Sequence, residues 1–264
     1  MSDYLLASIL GIVQGITEFL PVSSSGHLII TSALLGEDGA RIKTFEVVIQ
    51  LGSILAVVVL YWRRFAGLLF PPAKTSFSGI RGLYLLFLTC LPASLLGLFA
   101  HKYIKAHLFN PASVSLALVA GAVLMLAVEY RAKKNSVASI DEITPAMALG
   151  IGCCQCLSLW PGFSRSASTI MGGMLLGAER RVAAEYSFIA AVPIMVAATT
   201  FDLYKSAPHL TSSDIPFFLV GMAVSLLVAL LAIKLFVSLV GRISLKPFAW
   251  YRLAIAPLVY VFFL

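Results

Sequence analysis

The sequence predicts an all-α polytopic membrane protein, and three properties of the chain support that prediction. Of its 264 residues, 60% are hydrophobic and only 12% are charged, whereas a soluble domain carries about 25% charged residues. Its mean hydropathy is +0.97. Its apolar runs are long and continuous, unlike the alternating segments of about 10 residues that build a membrane β-barrel. We expect a single membrane domain over residues 1–264, with six transmembrane helices and two re-entrant helical hairpins.

The first element is predicted to be a hairpin, because a polar stretch interrupts the first apolar run. Residues 4–20 are apolar apart from Gln14 and Glu18, and Pro21 then breaks the helix. The apolar run after the break makes only about two helical turns, whereas a membrane crossing needs about 20 residues. We therefore predict a re-entrant hairpin over residues 4–36. Non-helical backbone at that depth is tolerated only where it is buried in protein or lines a wet cavity, so the turn is a candidate site.

Three full spans are predicted after this hairpin. The first begins near Glu46, and Pro92 is expected to kink the second. The connections are predicted to be a loop over residues 65–81 and a short polar link over residues 101–107. The predicted spans cover residues 45–62, 82–100 and 112–130.

The second half of the chain repeats this order of features. The apolar run that begins near residue 145 is broken by Pro161 and Gly162, which predicts a second re-entrant hairpin over residues 145–177. Pro161 lies 140 positions after Pro21. The two repeats are expected to cover residues 1–135 and 140–264. The spans of the second repeat are predicted at residues 183–203, 215–237 and 247–264.

The number of spans decides how the repeats are related. Each repeat has three spans, which is an odd number, so the second repeat must be inverted relative to the first. Inverted repeats with broken helices hold their sites near the membrane midplane, at the interface of the repeats. One hairpin then enters from each side and the tips meet. This arrangement predicts proximity between two groups of residues: Glu18, Ser24 and His27 in the first hairpin, and Ser164 and Arg165 in the second.

The distribution of Lys and Arg predicts the orientation, because cytoplasmic loops carry the excess of positive charge. We therefore place the richer side in the cytoplasm, with both termini and the mouth of the first hairpin facing outward. The richer side carries Arg63, Arg64, Lys74, Arg81, Arg131, Lys133, Lys134, Arg180, Arg181, Arg242 and Lys246. The other side carries Arg41, Lys43, Lys102, Lys105 and Lys205.

Charge and cysteine content exclude other classes of protein. The net charge is +7, but the basic residues lie between apolar runs, so we interpret them as loop anchors and expect no nucleic-acid partner. No basic stretch precedes the first apolar run, so we expect no cleavable signal peptide. The cysteines at positions 153, 154 and 156 lack the paired spacing of a zinc site. We interpret them, with Cys90, as packing residues and expect no disulfide framework.

The polar stretch of the first hairpin has the composition of an anion site with an acid–base group. Glu18 follows Gln14 by four residues, so both lie on one helical face, and Glu18 can act as a base, a metal ligand or the partner of a cation. The run Ser23-Ser24-Ser25-Gly26 offers hydroxyls and backbone N–H groups at the start of the next helix, which suits an anion. His27 follows and can act as a base, an acid or a nucleophile.

The second polar stretch also has the composition of an anion-binding site. Ser164, Arg165 and Ser166 place a guanidinium group between hydroxyls, with Thr169 close behind, and this combination suits a phosphate. A phosphate site with a carboxylate, a histidine and serine hydroxyls indicates cleavage of a phosphoryl ester or a phosphoanhydride. A buried site that is reached from the membrane suits a lipid phosphate.

Simpler interpretations exist for each of these residues. Glu18 and Arg165 can form a structural ion pair that locks the hairpins together. His27 can be a satisfied core histidine, and some of the serines are helix caps. Glu46 and Glu185 are better explained as acids at helix starts, where the helix dipole favours them. A transporter of lipid phosphate would also use Arg165, but it would not need Glu18 and His27 beside serines.

Three motifs resemble those of the undecaprenyl-diphosphate phosphatase family, also called bacitracin-resistance proteins. They are the stretch from Gly15 to His27, the stretch from Lys43 to Ile54, and Trp160 to Thr169. The similarity extends over essentially the whole chain. It implies a bacterial plasma-membrane enzyme that hydrolyses undecaprenyl diphosphate to undecaprenyl phosphate and phosphate. Such an enzyme recycles the lipid carrier of cell-wall synthesis and confers resistance to bacitracin.

The resemblance also implies a cofactor and roles for the polar residues. The family depends on a divalent cation, Mg²⁺ or Ca²⁺, and Glu18 is the expected ligand. Many members have Glu where this chain has Gln14, so a site with two carboxylates is not expected here. We expect Arg165 to clamp the diphosphate and either Ser24 or His27 to attack the terminal phosphorus. The groups expected to support the phosphates are Gln14, Ser23, Ser25, Gly26, Ser164, Ser166 and Thr169. A homodimer is left open.

Overall fold

The computed structural model describes residues 2–37, 39–71, 77–108, 110–131, 136–206 and 211–263. The predicted all-α class is confirmed: over these ranges the chain forms helices, and its β-structure is a single isolated bridge between Val137 and Ala178. The α-helices of the first half are α1 (Asp3–Thr17), α2 (Ser24–Leu34), α3 (Ala40–Leu60), α4 (Trp62–Leu69), α5 (Gly79–His107) and α6 (Pro111–Arg131). Those of the second half are α7 (Pro145–Gln155), α8 (Arg165–Leu175), α9 (Arg180–Ser206), α10 (Ile215–Val240) and α11 (Lys246–Phe263).

Five helices in the described ranges are long and apolar enough to cross a membrane, namely α3, α5, α6, α9 and α10. The last predicted span, residues 247–264, corresponds to α11, which is 18 residues long and falls outside that set. The helices α1, α2, α7 and α8 are much shorter, at 15, 11, 11 and 11 residues. Their lengths agree with the prediction that neither arm of a hairpin crosses the membrane alone.

Two predicted connections are wrong. The expected loop over residues 65–81 contains the second half of α4, and α5 already begins at Gly79. The expected polar link over residues 101–107 is the last part of α5. Polar side chains do not themselves end a helix. The first proline after the start of α4 is Pro71, and the first proline after residues 101–107 is Pro111. The basic residues Lys74, Lys133 and Lys134 lie outside the described residues.

Each pair of short helices is joined by a turn with an unusual serine. Ser23 (φ 73°) and Ser164 (φ 79°) are the only non-glycine residues of the described ranges with positive φ, which is a costly conformation for a residue with a Cβ atom. Each of them caps the second helix of its pair: Ser23 Oγ accepts the Gly26 N–H at 3.5 Å and Ser164 Oγ accepts the Ala167 N–H at 3.2 Å. The two turns therefore have the same design.

Each short helix packs against a helix of the other half of the chain, and α2 and α8 also pack closely against helices of their own half. The helix α1 packs against α10 and α2 packs against α11, while α7 packs against α5 and α8 against α6 as well as its neighbour α9. Glycines permit the close approach of α1: a Cβ atom on Gly15 would lie 2.8 Å from the Ser225 carbonyl oxygen. This interlocking holds the turn after α1 and the turn before α8 side by side in the interior.

Candidate active site

Glu18 lies at the centre of the site, at the end of α1. Its carboxylate is buried and accepts three hydrogen bonds. Oε1 accepts from Arg165 Nη2 at 3.0 Å, while Oε2 accepts from Gln14 Nε2 at 2.9 Å and from Ser24 Oγ at 2.8 Å. The predicted proximity of Glu18 and Arg165, which are 147 positions apart in the chain, is therefore confirmed. The contact with Ser24 joins a hydroxyl group to a carboxylate within hydrogen-bond reach, which is the arrangement by which a neighbouring base activates a hydroxyl nucleophile.

Arg165 is the first residue of α8, and its guanidinium group is only partly satisfied. Besides Glu18, it contacts the Ser187 carbonyl oxygen at 3.4 Å and Met195 Sδ at 3.3 Å, and it lies 5.5 Å from the centre of the Phe19 ring. Its Nε is buried and has no hydrogen-bond partner among the residues that the structure describes. A buried donor without a partner is rare and costly, so this N–H group marks a place for an acceptor such as a phosphate oxygen.

The helices α2 and α8 begin at the two turns, one on each side of this pair. The N–H groups of a helix's first turn have no partner within the helix, and here they belong to Ser24 and Ser25 in α2 and to Arg165 and Ser166 in α8. These groups and the positive ends of both helix dipoles favour an anion. Ser25 is exposed, whereas Gly26 is buried and donates its N–H group to Ser23 Oγ.

The hydroxyls of the second polar stretch bind protein groups. Ser166 Oγ donates to the Leu20 carbonyl oxygen at 2.9 Å and lies 3.0 Å from Ser164 Oγ, so it joins one turn to the other. Thr169 Oγ1 lies 2.5 Å from Ser187 Oγ and joins α8 to α9. These contacts indicate that Ser166 and Thr169 fix the position of the helix that carries Arg165.

His27 faces a different neighbour from the one that the sequence predicts. Its Nδ1 lies 2.8 Å from the Ser23 carbonyl oxygen and its Nε2 lies 2.6 Å from the Tyr251 hydroxyl. The carbonyl can only accept, so Nδ1 carries the hydrogen and Nε2 accepts from Tyr251. The two rings are stacked, with centres 5.5 Å apart. His27 thus connects the first turn to α11, and its hydrogen bonds do not involve Glu18 or Arg165.

Sequence reasoning missed Arg252, which is fully buried in α11. Within the described part of the chain, its guanidinium group donates only to backbone carbonyl groups and has no carboxylate partner. It holds both turns at once and ties them to α6. The acceptors are Pro21 at 3.4 Å, Gly162 at 3.1 Å, Phe163 at 2.8 Å, Ala117 at 3.2 Å and Leu118 at 3.2 Å. An arginine inside an apolar run is a functional-site signal by default, and that signal was present in the sequence.

The residues around Glu18 fit a divalent cation. The described residues contain no group of three or more His, Cys, Asp or Glu side chains that could form a complete cage. Mg²⁺, however, is usually held by one or two carboxylates together with substrate phosphates and water. Among the described residues Gln14 Oε1 has no hydrogen-bond partner and is buried, and Nε2 of the same side chain donates to the Glu18 oxygen that also accepts from Ser24 Oγ. These three oxygen groups suit a hard cation that completes its coordination with the substrate.

Comparison with known proteins gives one consistent result. Residues 7–258 match the model of a family described as bacitracin resistance protein BacA. The chain is 65% identical to the undecaprenyl-diphosphatase of Nitratidesulfovibrio vulgaris, with 99% of both chains covered. It is 64% identical to the undecaprenyl-diphosphatase of Maridesulfovibrio salexigens at the same coverage. Identity to the undecaprenyl-diphosphatase of Lawsonia intracellularis is 54%, with 99% of this chain and 98% of that relative covered.

Proposed function

Because this chain belongs to the bacitracin resistance protein BacA family, we infer that it is an undecaprenyl-diphosphatase. It hydrolyses undecaprenyl diphosphate to undecaprenyl phosphate and inorganic phosphate, which recycles the lipid carrier of cell-wall synthesis and confers resistance to bacitracin. It is a multi-pass membrane protein. The observation that supports this chemistry best is the contact of Ser24 with Glu18, beside Arg165, where two helix N-termini meet.

Arg165 binds the diphosphate in this proposal. Its Nε–H group, which has no hydrogen-bond partner among the described residues, can donate to a phosphate oxygen. An Nη2–H group joins it in the planar arrangement that guanidinium favours when the phosphate takes the place of a present Nη2 partner. The amides at the start of α2 and α8 donate to the remaining oxygens. Negative charge on the phosphoryl group that is transferred is thereby stabilised by groups that are already in place.

Ser24 is the nucleophile favoured by the geometry, because its hydroxyl already donates to Glu18 at 2.8 Å. Ser24 Oγ forms a bond to the terminal phosphorus while the bond from that phosphorus to the bridging oxygen breaks, and undecaprenyl phosphate leaves. Glu18 accepts the Ser24 proton and releases it with this product. Water then attacks the phosphoserine, Glu18 accepts a proton from the water and returns it to Ser24, and phosphate leaves. His27 supports the turn through Ser23 and Tyr251.

In this proposal the divalent cation, Mg²⁺ or Ca²⁺, would be held by Glu18, Gln14 Oε1 and Ser24 Oγ. The unpartnered Gln14 oxygen supports the assignment. When bound, the cation supplies positive charge that neutralises the diphosphate. Gln14, which is fully buried, positions Glu18 through its Nε2–H group.

The architecture that fits these helices is an inverted repeat with six spans, in which α1–α2 and α7–α8 are the re-entrant hairpins and α11 is the sixth span. Ser24 and Leu34 bound α2 whereas Arg165 and Leu175 bound α8, so the two helices have equal length and are offset by 141 positions. The matching serine turns and the packing of each hairpin against the other half also support it. The repeats cover residues 1–135 and 140–264.

The charge distribution supports an orientation in the bacterial plasma membrane. The end of the bundle that carries Arg64, Arg180 and Arg181 faces the cytoplasm. The termini and the mouth of the first hairpin then face the periplasm. A homodimer stays a prediction, which the mass of the purified protein in lipid nanodiscs would test.

Phosphate release from undecaprenyl diphosphate tests the function directly. We expect release by the purified protein in nanodiscs with Mg²⁺, none with EDTA, and a loss on the order of 10²-fold or more for Arg165→Ala. Arg165→Lys keeps the positive charge opposite Glu18 but loses the planar set of guanidinium N–H donors, so it separates an effect on catalysis from an effect on folding. Arg131→Ala, an exposed residue at the end of α6, is the matched control. Absence of release by folded wild-type protein would refute the assignment.

A second measurement tests the role of Ser24. During turnover of substrate labelled in its terminal phosphate, acid quenching should trap label on the wild-type protein. Ser24→Ala should carry no label, and His27→Ala should still carry it. Label that persists in Ser24→Ala and disappears in His27→Ala would assign the nucleophile to His27 and leave the hydrolase function intact.

A further inference from the structure

A cavity lies at the basic end of the bundle, between the end of α3, the start of α9 and the end of α10. Its volume is about 760 Å³, and its charged lining residues are Arg181, Glu185, Lys234 and Arg242. Glu18, Ser24 and Arg165 are absent from its lining. The cavity is therefore separate from the active site, and the proposed reaction makes no use of it.

Lys234 is the unexpected member of this lining. It lies within the span of α10, six positions before the helix ends at Val240, in a segment of mean hydropathy 2.6. A charged residue inside an apolar span is costly and usually serves a site. Among the described residues, the side chains of Lys234 and Arg242 form no ion pair, and both are exposed. The apolar run thus carries a cation that its protein neighbours do not neutralise.

The charges of the cavity favour an anion. Glu185, the one carboxylate in the lining, already accepts from Arg181 at 2.9 Å. Lys234 and Arg242 remain as two positive charges facing the same space. Tyr61 and Ser238 add hydroxyl groups to the lining. A phosphate group matches this combination of cations and hydroxyl donors.

The surroundings of the cavity favour a lipid over a free ion. Part of the lining is apolar and comes from Leu60, Ile233 and Val237. Beside Lys234, α10 presents an apolar stripe to its surroundings, in which Leu231 and Leu235 are 61% and 53% exposed. Residues four positions apart lie on the same helical face, so this stripe runs along the membrane next to the cationic groups. A headgroup in the cavity would leave its tail along the stripe.

We propose that this cavity binds the phosphate headgroup of an anionic membrane lipid, with Lys234 and Arg242 as the groups that recognise it. The shared chemistry is a lipid-linked phosphate, either a phosphodiester as in phosphatidylglycerol or a phosphomonoester as in a prenyl phosphate. The site is connected to the catalytic centre by a row of aromatic rings: Phe188 lies edge-to-face against Phe19 and tilted against Phe236, with ring centres 5.1 Å and 5.9 Å away. Phe236 adjoins Val237 of the cavity.

Lipid binding by the full chain in detergent, followed by native mass spectrometry, tests the proposal. The probes are phosphatidylglycerol, farnesyl phosphate, phosphatidylcholine and inorganic phosphate. Removing one interfacial cation weakens the attraction of an anionic lipid by about fivefold. The double variant Lys234→Gln, Arg242→Gln should therefore bind phosphatidylglycerol, farnesyl phosphate or both about 30-fold more weakly. Arg131→Gln is the matched control, because this exposed cation at the same end lies outside the lining, and it should change binding less than twofold.

The outcomes separate the sources of phosphate and the two sites. If the double variant binds one of the two anionic lipids more weakly than the wild type does, that lipid represents the ligand class, and the result supports the proposal. Equal binding by the double variant and Arg131→Gln would overturn it, as would phosphatidylcholine binding as tightly as the anionic lipids. Binding of inorganic phosphate alone would also overturn it. Phosphate release from undecaprenyl diphosphate shows that the double variant is folded, and if that variant fails to fold, the single variants Lys234→Gln and Arg242→Gln are compared in the same way.

Discussion

Arg252 offers the sharpest test of how the site is held together, because its guanidinium group makes five hydrogen bonds to backbone carbonyl groups and connects both turns. The substitution Arg252→Lys keeps the positive charge but reduces the hydrogen-bond donors to three on one nitrogen. At least two buried carbonyl groups then lose their partner. Each such loss costs about 1–3 kcal/mol, so the free energy of unfolding should fall by about 2–6 kcal/mol.

The loss of these hydrogen bonds in Arg252→Lys should lower the catalytic rate as well as the stability. Arg252 donates to the carbonyl groups of Pro21, Gly162 and Phe163, which lie one or two residues from Ser23 or Ser164. A shift of about 1 Å in catalytic groups costs on the order of 10²-fold in rate. We therefore expect kcat for phosphate release to fall by on the order of 10- to 10²-fold in folded Arg252→Lys.

Arg180 provides a matched control. It is also largely buried and donates to backbone carbonyl groups, at Val240 and Ile243, besides its ion pair with Glu129. It lies at the basic end, away from the turns. Arg180→Lys should lower the melting temperature in the same nanodiscs and leave kcat nearly unchanged. If Arg252→Lys and Arg180→Lys lose equal stability and equal kcat, Arg252 has no positioning role beyond general stability.

Two further predictions concern the cation and the response to pH. Gln14→Glu places a second carboxylate beside Glu18, and the charge of the ligands tunes cation affinity. The Mg²⁺ concentration for half-maximal phosphate release should therefore fall on the order of tenfold. An unchanged or higher Mg²⁺ requirement would contradict the assignment of Gln14 to the cation. Burial raises the pKa of Asp141, but the Phe77 N–H, the Arg64 guanidinium and the Ser139 hydroxyl hold that pKa below its usual range. Its stabilising effect is therefore present above the unfolded pKa of about 3.9 and lost as pH falls through the folded value. The difference in melting temperature between wild type and Asp141→Asn should be largest near pH 7 and vanish at low pH, and a difference that stays constant with pH would refute the argument.

The two pairs of short helices and the contact between their turns could be predicted because the signals of the breaks are local. A polar stretch with Pro21 inside an apolar run cannot form a membrane span, and the prediction of an inverted repeat placed the two turns together. The ends of α4 and α5 could not be predicted in this way. Helix ends depend on capping residues and on helix breakers. The polar residues at the end of α5 include neither, and the next proline is Pro111.

The hydrogen-bond partners of Arg252 and His27 could not be predicted from the sequence, for a different reason. Arg252 binds backbone carbonyl groups, which every residue possesses, so no residue type elsewhere in the chain signals its partners. His27 binds Tyr251, which is 224 positions away on a helix that looked like an ordinary span. For such residues the sequence identifies the exceptional side chain, and only the packing of the helices supplies its neighbours.

The hydrogen bonds of Glu18 and Arg165 suggest why their ion pair is a resting state and not only a structural lock. A buried pair stabilises a fold only when its remaining donors and acceptors are satisfied, yet Arg165 Nε and Gln14 Oε1 have no partner. The two unsatisfied atoms belong to groups on opposite sides of the Glu18 carboxylate and have opposite character, since one is a donor and the other an acceptor. In the proposed mechanism a diphosphate with its divalent cation would satisfy both, the phosphate at Arg165 and the cation at Gln14 and Glu18. Without substrate, each charge of the pair neutralises the other, so neither is left alone at the depth of the membrane.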